Sequence, residues 1–226
     1  MARRSLLYRL AKRVLLLDVT HLFVSSTATI PFEAGKFQFR RLQSSDIIRF
    51  AKDPKTDLDA GMAHRLDFGI DDCFAAFDGP TLVGYCWVAR KNIEPNHNEG
   101  DHPATGVGVS FPDDTCFAYK AFTNPDWRGQ QVFPRVMGFA AQQLGRQGIV
   151  RIASTTDWSN QPAIRAFERS GFESMGKIWR IGRTPSLTLC PAKASEYGIR
   201  TGAKAKCTSR RTPAAIPGHA FAQLAT

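Results

Sequence analysis

Between residues 114 and 145 an apolar strand passes through one tight turn straight into a helix, and this junction constrains the architecture more than any other stretch. Residues 114–123, Asp-Thr-Cys-Phe-Ala-Tyr-Lys-Ala-Phe-Thr, are short and rich in aromatic and β-branched side chains, as a half-buried strand requires. Asn124-Pro125-Asp126-Trp127-Arg128-Gly129 then breaks the strand, because Asn, Pro and Gly suit turns. From residue 130 to 144, Val132, Val136, Phe139, Ala140 and Leu144 recur at helical spacing, and Gly145 ends the run.

The flanking sequence extends this layered pattern. Gly35–Leu42 alternates apolar and polar residues and predicts a strand. Ser44 or Ser45 is positioned to cap a helix that begins near Asp46 and stops before Pro54, and a second helix is predicted from about Thr56 to Leu66. Cys73–Phe77 and Thr81–Ala89, separated by Asp78-Gly79-Pro80, predict a hairpin. Residues 91–108 read as a long polar loop. Val150–Ala153 predicts a strand, Asn160–Ser170 a helix stopped by Gly171, and Phe172–Ile181 with Ser186–Cys190 two closing strands. The order is β-α-α-β-β-β-α-β-α-β-β. At 226 residues the chain suits one α/β (α+β) domain with extensions.

The net charge of +10 is unevenly placed. Residues 34–182 hold eighteen Lys/Arg against seventeen Asp/Glu, whereas residues 1–33 hold five against two and residues 183–226 seven against one. The basic character therefore belongs to the ends. The division expected is an N-terminal amphipathic basic helix and linker over 1–33, a domain over 34–190 and a basic tail over 191–226. In the first segment Leu6, Leu7, Leu10, Val14 and Leu17 form an apolar stripe, while Arg9, Lys12 and Arg13 interrupt any secretory-signal pattern. Two readings of that helix stay open: packing on the domain, or docking on an acidic partner or an anionic membrane surface. The tail reads as a solvated segment. No aromatic stacking pattern is interleaved with its charges, which argues against nucleic acid. Five cysteines without C-x-x-C spacing and five scattered histidines argue against a disulfide framework and against a metal site, and fit a reducing cytoplasm.

Chemistry concentrates at Arg128-Gly129-Gln130-Gln131-Val132-Phe133. A helix N-terminus offers unpaired amides and a partial positive charge, which suits an anion. Glycine lets the backbone approach closely, and Arg128 adds a donor fork, so a pyrophosphate fits here. A second piece, Asn160-Gln161-Pro162-Ala163-Ile164-Arg165-Ala166-Phe167-Glu168-Arg169-Ser170-Gly171-Phe172, opens a helix on Asn and closes it on Gly-Phe.

These two pieces, in this order, resemble the GNAT superfamily of CoA-dependent N-acyltransferases. The resemblance covers about residues 35–190 and is strongest over 114–181. It implies a mixed, mostly antiparallel central sheet flanked by helices. It also implies acetyl-CoA or another acyl-CoA as co-substrate, a small-molecule or protein amine as acceptor, and direct attack on the thioester. Backbone groups of Phe122 and Thr123 would pair with the pantetheine arm, amides of Gly129, Gln130, Gln131, Val132 and Phe133 would hold the pyrophosphate beside Arg128, and Asn160 would touch the cofactor. A backbone N–H near Thr123 would polarise the carbonyl. The bland alternative for Asn160 is a helix N-cap.

Two positions depart from the family pattern. Gln131 and Phe133 stand where small residues are usual, so a side chain at 131 would crowd the phosphates if the backbone there needs positive φ. Phe167 replaces a common tyrosine that protonates the leaving thiolate. No catalytic acid or base is assigned from sequence; Tyr119, Asp114 and Cys116 are the nearby candidates. The acceptor would be met by residues 44–68 and 91–108, which carry Asp57, Asp59, His64, Arg65, Glu94, Glu99 and Asp101. Two other readings compete: a longer acyl donor presented by a carrier protein or membrane, and a catalytically degenerate CoA-binding or interaction domain.

Overall fold

Strands buried on both faces must lie in the middle of a sheet, and two such strands organise this molecule. The computed structural model describes residues 17–94, 108–182 and 187–201. In it β3 (Asp71–Asp78) and β4 (Thr81–Ala89) are buried along nearly their whole length. They form the expected hairpin, Asp71 opposite Ala89 and Asp78 opposite Thr81. β2 (Gln38–Arg41) pairs with β3, and β6 (Thr115–Thr123) with β4, both antiparallel.

Beyond β6 comes β7 (Arg151–Asp157), which is parallel to it. The turn of Asn124–Gln131, the helix α3 (Val132–Gly145) and the return segment 146–150 make this crossover. The sheet continues through β1 (Leu17–Ser26), β8 (Glu173–Ile181) and β9 (Leu187–Leu189), giving the order β2-β3-β4-β6-β7-β1-β8-β9. All neighbours except β6 and β7 are antiparallel, so the sheet is mixed and mostly antiparallel as expected.

Helices cover one face. The apolar side of α3 (Val132, Val136, Met137, Ala140, Ala141, Leu144) and that of α4 (Gln161–Arg169; Ile164, Phe167) meet Phe23, Phe74, Val88, Cys116, Ala118 and Ile152. The opposite face has two separate covers. α1 (Ser44–Phe50), a 3-10 turn at Ala60–Met62 and α2 (Ala63–Asp67) bury Tyr85, Trp87, Ala75 and Phe77. β5 (Val109–Ser110), α5 (Ala192–Glu196) and β10 (Arg200–Thr201) cover Leu22, Val24, Ala153, Met175 and Ile178. Tyr119 packs against both clusters, so it marks the seam between them.

Several expectations need correction. Residues 17–33 do not belong with an N-terminal extension: β1 lies between β7 and β8, and Leu22 and Phe23 are fully buried. Leu17, read as the end of a helical stripe, is the first residue of that strand and pairs with Ile181. The rest of the predicted helix, residues 1–16, lies outside the described residues. The tail does not begin at 191 either, because Ala194 and Ile199 are buried in the core and Arg200–Thr201 pair with β5. The helix predicted from Thr56 shrinks to Ala60–Asp67, where Asp59 accepts a hydrogen bond from the Gly61 amide (2.8 Å). α1 is capped by neither serine. It starts at Ser44, and the Asp46 carboxylate accepts from the Gln43 amide (2.9 Å) while gripping Arg40 (2.5 and 2.8 Å).

Candidate functional site

The parallel pair β6–β7 is short. Thr115 to Ala118 lie opposite Arg151 to Ser154, and there the pairing stops, although β6 runs on to Thr123 and β7 to Asp157. The strands part into a wedge. Ser154 Oγ donates to the Ala118 carbonyl at the parting point (2.7 Å). A β-bulge occurs at the same level, since Trp87 pairs with Lys120 and Val88 with Ala118, leaving Tyr119 as the extra residue. Such a bulge bends its strand and leaves backbone groups outside the ladder.

Alternation along β6 decides which groups face the wedge. The Asn124 amide donates to Val83 O in β4 (2.9 Å). By the two-residue period Phe122 also turns its backbone groups to β4, and its carbonyl lies so close that a Cβ on Gly84 would stand 2.9 Å from it. Ala121 and Thr123 therefore present their N–H and C=O to the wedge. This corrects the expectation for Phe122. Its side chain is instead the informative part, stacking on Tyr85 on the face away from α3 (centroids 5.5 Å apart).

Both strands deliver a helix N-terminus to the open end, because they are parallel and each is followed by a helix. At the first, a 3-10 turn (Pro125–Trp127) is capped by Asn124, whose Oδ1 accepts from the Asp126 amide (3.1 Å). Gly129 has φ +81 and Gln131 has φ +59, ψ +28. Gln131 is the only non-glycine residue with positive φ among those described. The backbone there does need the left-handed conformation, at a cost of about 1 kcal/mol for a side-chain-bearing residue. The Gln130 amide is taken by Trp127 O (3.4 Å), whereas the amides of Gly129, Gln131, Val132 and Phe133 have no acceptor among the described residues. Arg128, Gly129, Gln130 and Gln131 are exposed. Val132 anchors the helix start against β4, and Gly84 makes room for it: a Cβ there would lie 2.6 Å from Val132 Cγ1.

Phe133 turns inward and meets Phe167 edge-on (5.1 Å). Phe167 is buried, stacks on Phe23 (5.0 Å) and touches Phe172 (5.1 Å), so it is a core residue. At the second helix Asn160 is the N-cap, its Oδ1 accepting from the Ala163 amide (3.2 Å).

The candidate proton carriers disperse. Asp114 sits at the closed end of the strand pair, bonded to Arg151 (2.6 Å). Cys116 is fully buried, and burial pushes its thiol up to about 12. Tyr119 donates its hydroxyl to Asp71 (2.7 Å), which also holds Arg65, and burial followed by the Asp71 charge raises its pKa. Among the described residues no group of three or more metal-ligating side chains exists, and no helix is long and apolar enough to cross a membrane.

A two-strand wedge with two helix starts at its mouth leaves backbone groups free for a ligand, and comparison with known proteins settles the family. The family model for Acetyltransferase (GNAT) family matches residues 42–172. The chain belongs to this family. Mycothiol acetyltransferase of Brachybacterium faecium is 26% identical over 130 residues, which is 58% of this chain and 34% of that protein. The chain thus spans about a third of the length of that curated relative. Among solved structures, a functionally unknown conserved protein of Staphylococcus epidermidis gives a TM-score of 0.49 at 12% identity over 77% of this chain and 65% of its own. A GCN5-related N-acetyltransferase of Kribbella flavida gives 0.45 at 14% over 79% and 63%.

Within this GNAT domain the acceptor-side charges named from sequence sort themselves. Arg65 is buried against Asp71, Asp59 caps the 3-10 turn, and His64 Nδ1 contacts Gly61 O (2.6 Å). Glu94 is exposed, and Glu99 and Asp101 lie outside the described residues. Asp57 reaches β4, accepting the Tyr85 hydroxyl on Oδ1. Lys120 Nζ donates to the Asp57 carbonyl (2.8 Å). Sequence reasoning missed Tyr85 and Lys120, whose only signal was their place on strands flanking the turn.

Proposed function

We propose that this domain is a CoA-dependent N-acetyltransferase that moves the acetyl group of acetyl-CoA to a primary amine by direct attack. The observation that carries this reading is the parting of β6 and β7 beyond Ala118 and Ser154, with four amides at its mouth that have no acceptor among the described residues. Those of Gly129, Gln131, Val132 and Phe133, with Arg128 beside them, would hold the pyrophosphate. Ala121 and Thr123 would pair with the pantetheine amides as an added strand would. Asn160 would serve the cofactor through the part of its amide that the cap does not use.

The reaction forms one C–N bond and breaks one C–S bond. Holding amine and thioester together supplies much of the acceleration, and the backbone of Tyr119, the extra residue of the bulge, lies where a carbonyl could be polarised. The amine must arrive neutral and gives up a proton after attack. Phe167 offers no hydroxyl to the departing thiolate, so water entering at the exposed mouth is the proton source this reading assigns.

Titration of acetyl-CoA in a calorimeter tests it. Saturable heat and a thermal shift are expected, both weakened by Arg128→Ala. No heat and no shift at millimolar acetyl-CoA would overturn the proposal.

A further inference from the structure

We propose that the acceptor carries a second positive charge besides the amine that reacts, and that Asp57 receives it. This rests on the transferase reading above and names the substrate class it would use.

The donor's phosphates would sit where α3 begins, on the face that α3 and α4 cover, so an amine meeting the thioester through the wedge comes from the opposite face. On that face β6 and β4 present Tyr119, Lys120, Phe122 and Tyr85 along the seam between two hydrophobic clusters. Tyr119, Lys120 and Phe122 are partly exposed. Among the described residues two carboxylates reach this aromatic floor: Asp71, which is buried beneath Tyr119, and Asp57, whose side chain is 54% exposed. Tyr85, otherwise buried, spends its hydroxyl on Asp57 Oδ1, which fixes the carboxylate and leaves Oδ2 to a loose ion pair with Lys120.

The spot already holds an ammonium. Lys120 Nζ lies 2.8 Å from the Asp57 carbonyl but 3.9 Å from Asp57 Oδ2, a loose ion pair. Carbonyl and carboxylate together suit a cation, and Lys120 fills part of that role without closing on the carboxylate. Tyr85 belongs to β4 and pairs with Phe122 of β6, the strand that borders the wedge. A cation at Asp57 therefore stands one to two strand spacings, about 5–10 Å, from the wedge. That separation is too large for the reacting nitrogen and suits a second charge on the same acceptor. Di- and polycationic amines are the class that fits.

Three acceptors of matched length test this: 1,5-diaminopentane, 1-aminopentane and 5-aminopentanoate, each with acetyl-CoA and detection of released thiol. The diamine is expected to show the lowest KM, by about three- to fivefold over the monoamine, the range of an exposed ion pair. Asp57→Asn should erase that preference, Tyr85→Phe should weaken it, and Lys120→Met should widen it by freeing the carboxylate. Opposite shifts in KM for Asp57→Asn and Lys120→Met, with kcat little changed, are not what a folding defect produces. Acetyl-CoA affinity, measured by calorimetry, should be equal in all four proteins. Binding of acetyl-CoA with no diamine turnover, with equal KM values, or with 5-aminopentanoate preferred overturns this proposal alone. Absence of acetyl-CoA binding overturns the transferase reading, and this one with it.

Discussion

The two ends of the β6–β7 pair are built from the same two strands and behave oppositely. At the closed end Thr115 to Ala118 hold register with Arg151 to Ser154, Cys116 and Ile152 are fully buried, and Asp114 is bonded to Arg151. At the open end the pairing lapses, Lys120 and Phe122 are partly exposed, and Gln131 sits in the left-handed region. Register persists where side chains on both strands are locked in one core, and fails where a bulge and two helix starts leave backbone groups without ladder partners. Packing is concentrated at one end, and exposed backbone outside the ladder at the other.

The largest break in this contrast should come from Gly84→Leu. The new side chain would meet Val132 and the Phe122 carbonyl, pushing α3 off β4. Overpacking of this kind costs about 3 kcal/mol, and chemical denaturation should show it together with loss of acetyl-CoA binding. Ser154→Ala removes the hydroxyl that satisfies Ala118 O at the parting point and should cost about 1–2 kcal/mol by the same measurement. If stability is unchanged, that hydrogen bond does not hold the fork.

Gln131→Gly sharpens the contrast from the open side. It removes the left-handed strain and the side chain beside the amides, so it should stabilise by about 0.5–1 kcal/mol and tighten acetyl-CoA binding. Weaker binding would show that the Gln131 side chain itself contacts the ligand. The smallest effect belongs to the closed end, with Asp114→Asn. Burial pulls the Asp114 carboxyl upward, yet the Arg151 and Thr115 hydrogen bonds win and hold it below its ordinary value of 3.8. A depressed carboxyl stabilises the fold above that pH and loses its contribution as pH falls below it. The pair is partly exposed, so the loss at neutral pH should be under about 1 kcal/mol. Wild type and variant should converge in stability under acid, with acetyl-CoA affinity unaffected at neutral pH.

Much of the fold was legible in the chain. The 73–89 hairpin, the 114–145 strand-turn-helix and the 160–170 helix follow from apolar spacing and from Gly, Pro and Asn, which act over a few residues. The need for positive φ at 131 could be posed from sequence. What escaped was β1. Its sequence, Leu-Asp-Val-Thr-His-Leu-Phe-Val-Ser-Ser, adjoins a basic apolar stripe, and no local pattern tells such a strand where to pair. The end of the ordered chain was misplaced for the same reason, since Ile199 is held by core contacts and not by its neighbours in sequence.

By itself, then, the sequence determined the 73–89 hairpin, the strand-turn-helix of 114–145 and the helix that follows Asn160, and that a glycine-bearing turn opens the helix at Val132. Those outcomes rest on short-range sterics and periodicity. Tertiary structure decided that β1 sits between β7 and β8, that Phe122 turns its backbone to β4 while Ala121 and Thr123 face the wedge, and that Asp57 meets Tyr85 and Lys120. Each depends on pairing or packing between residues far apart along the chain, where the cost of closing the loop is repaid only once the whole core assembles.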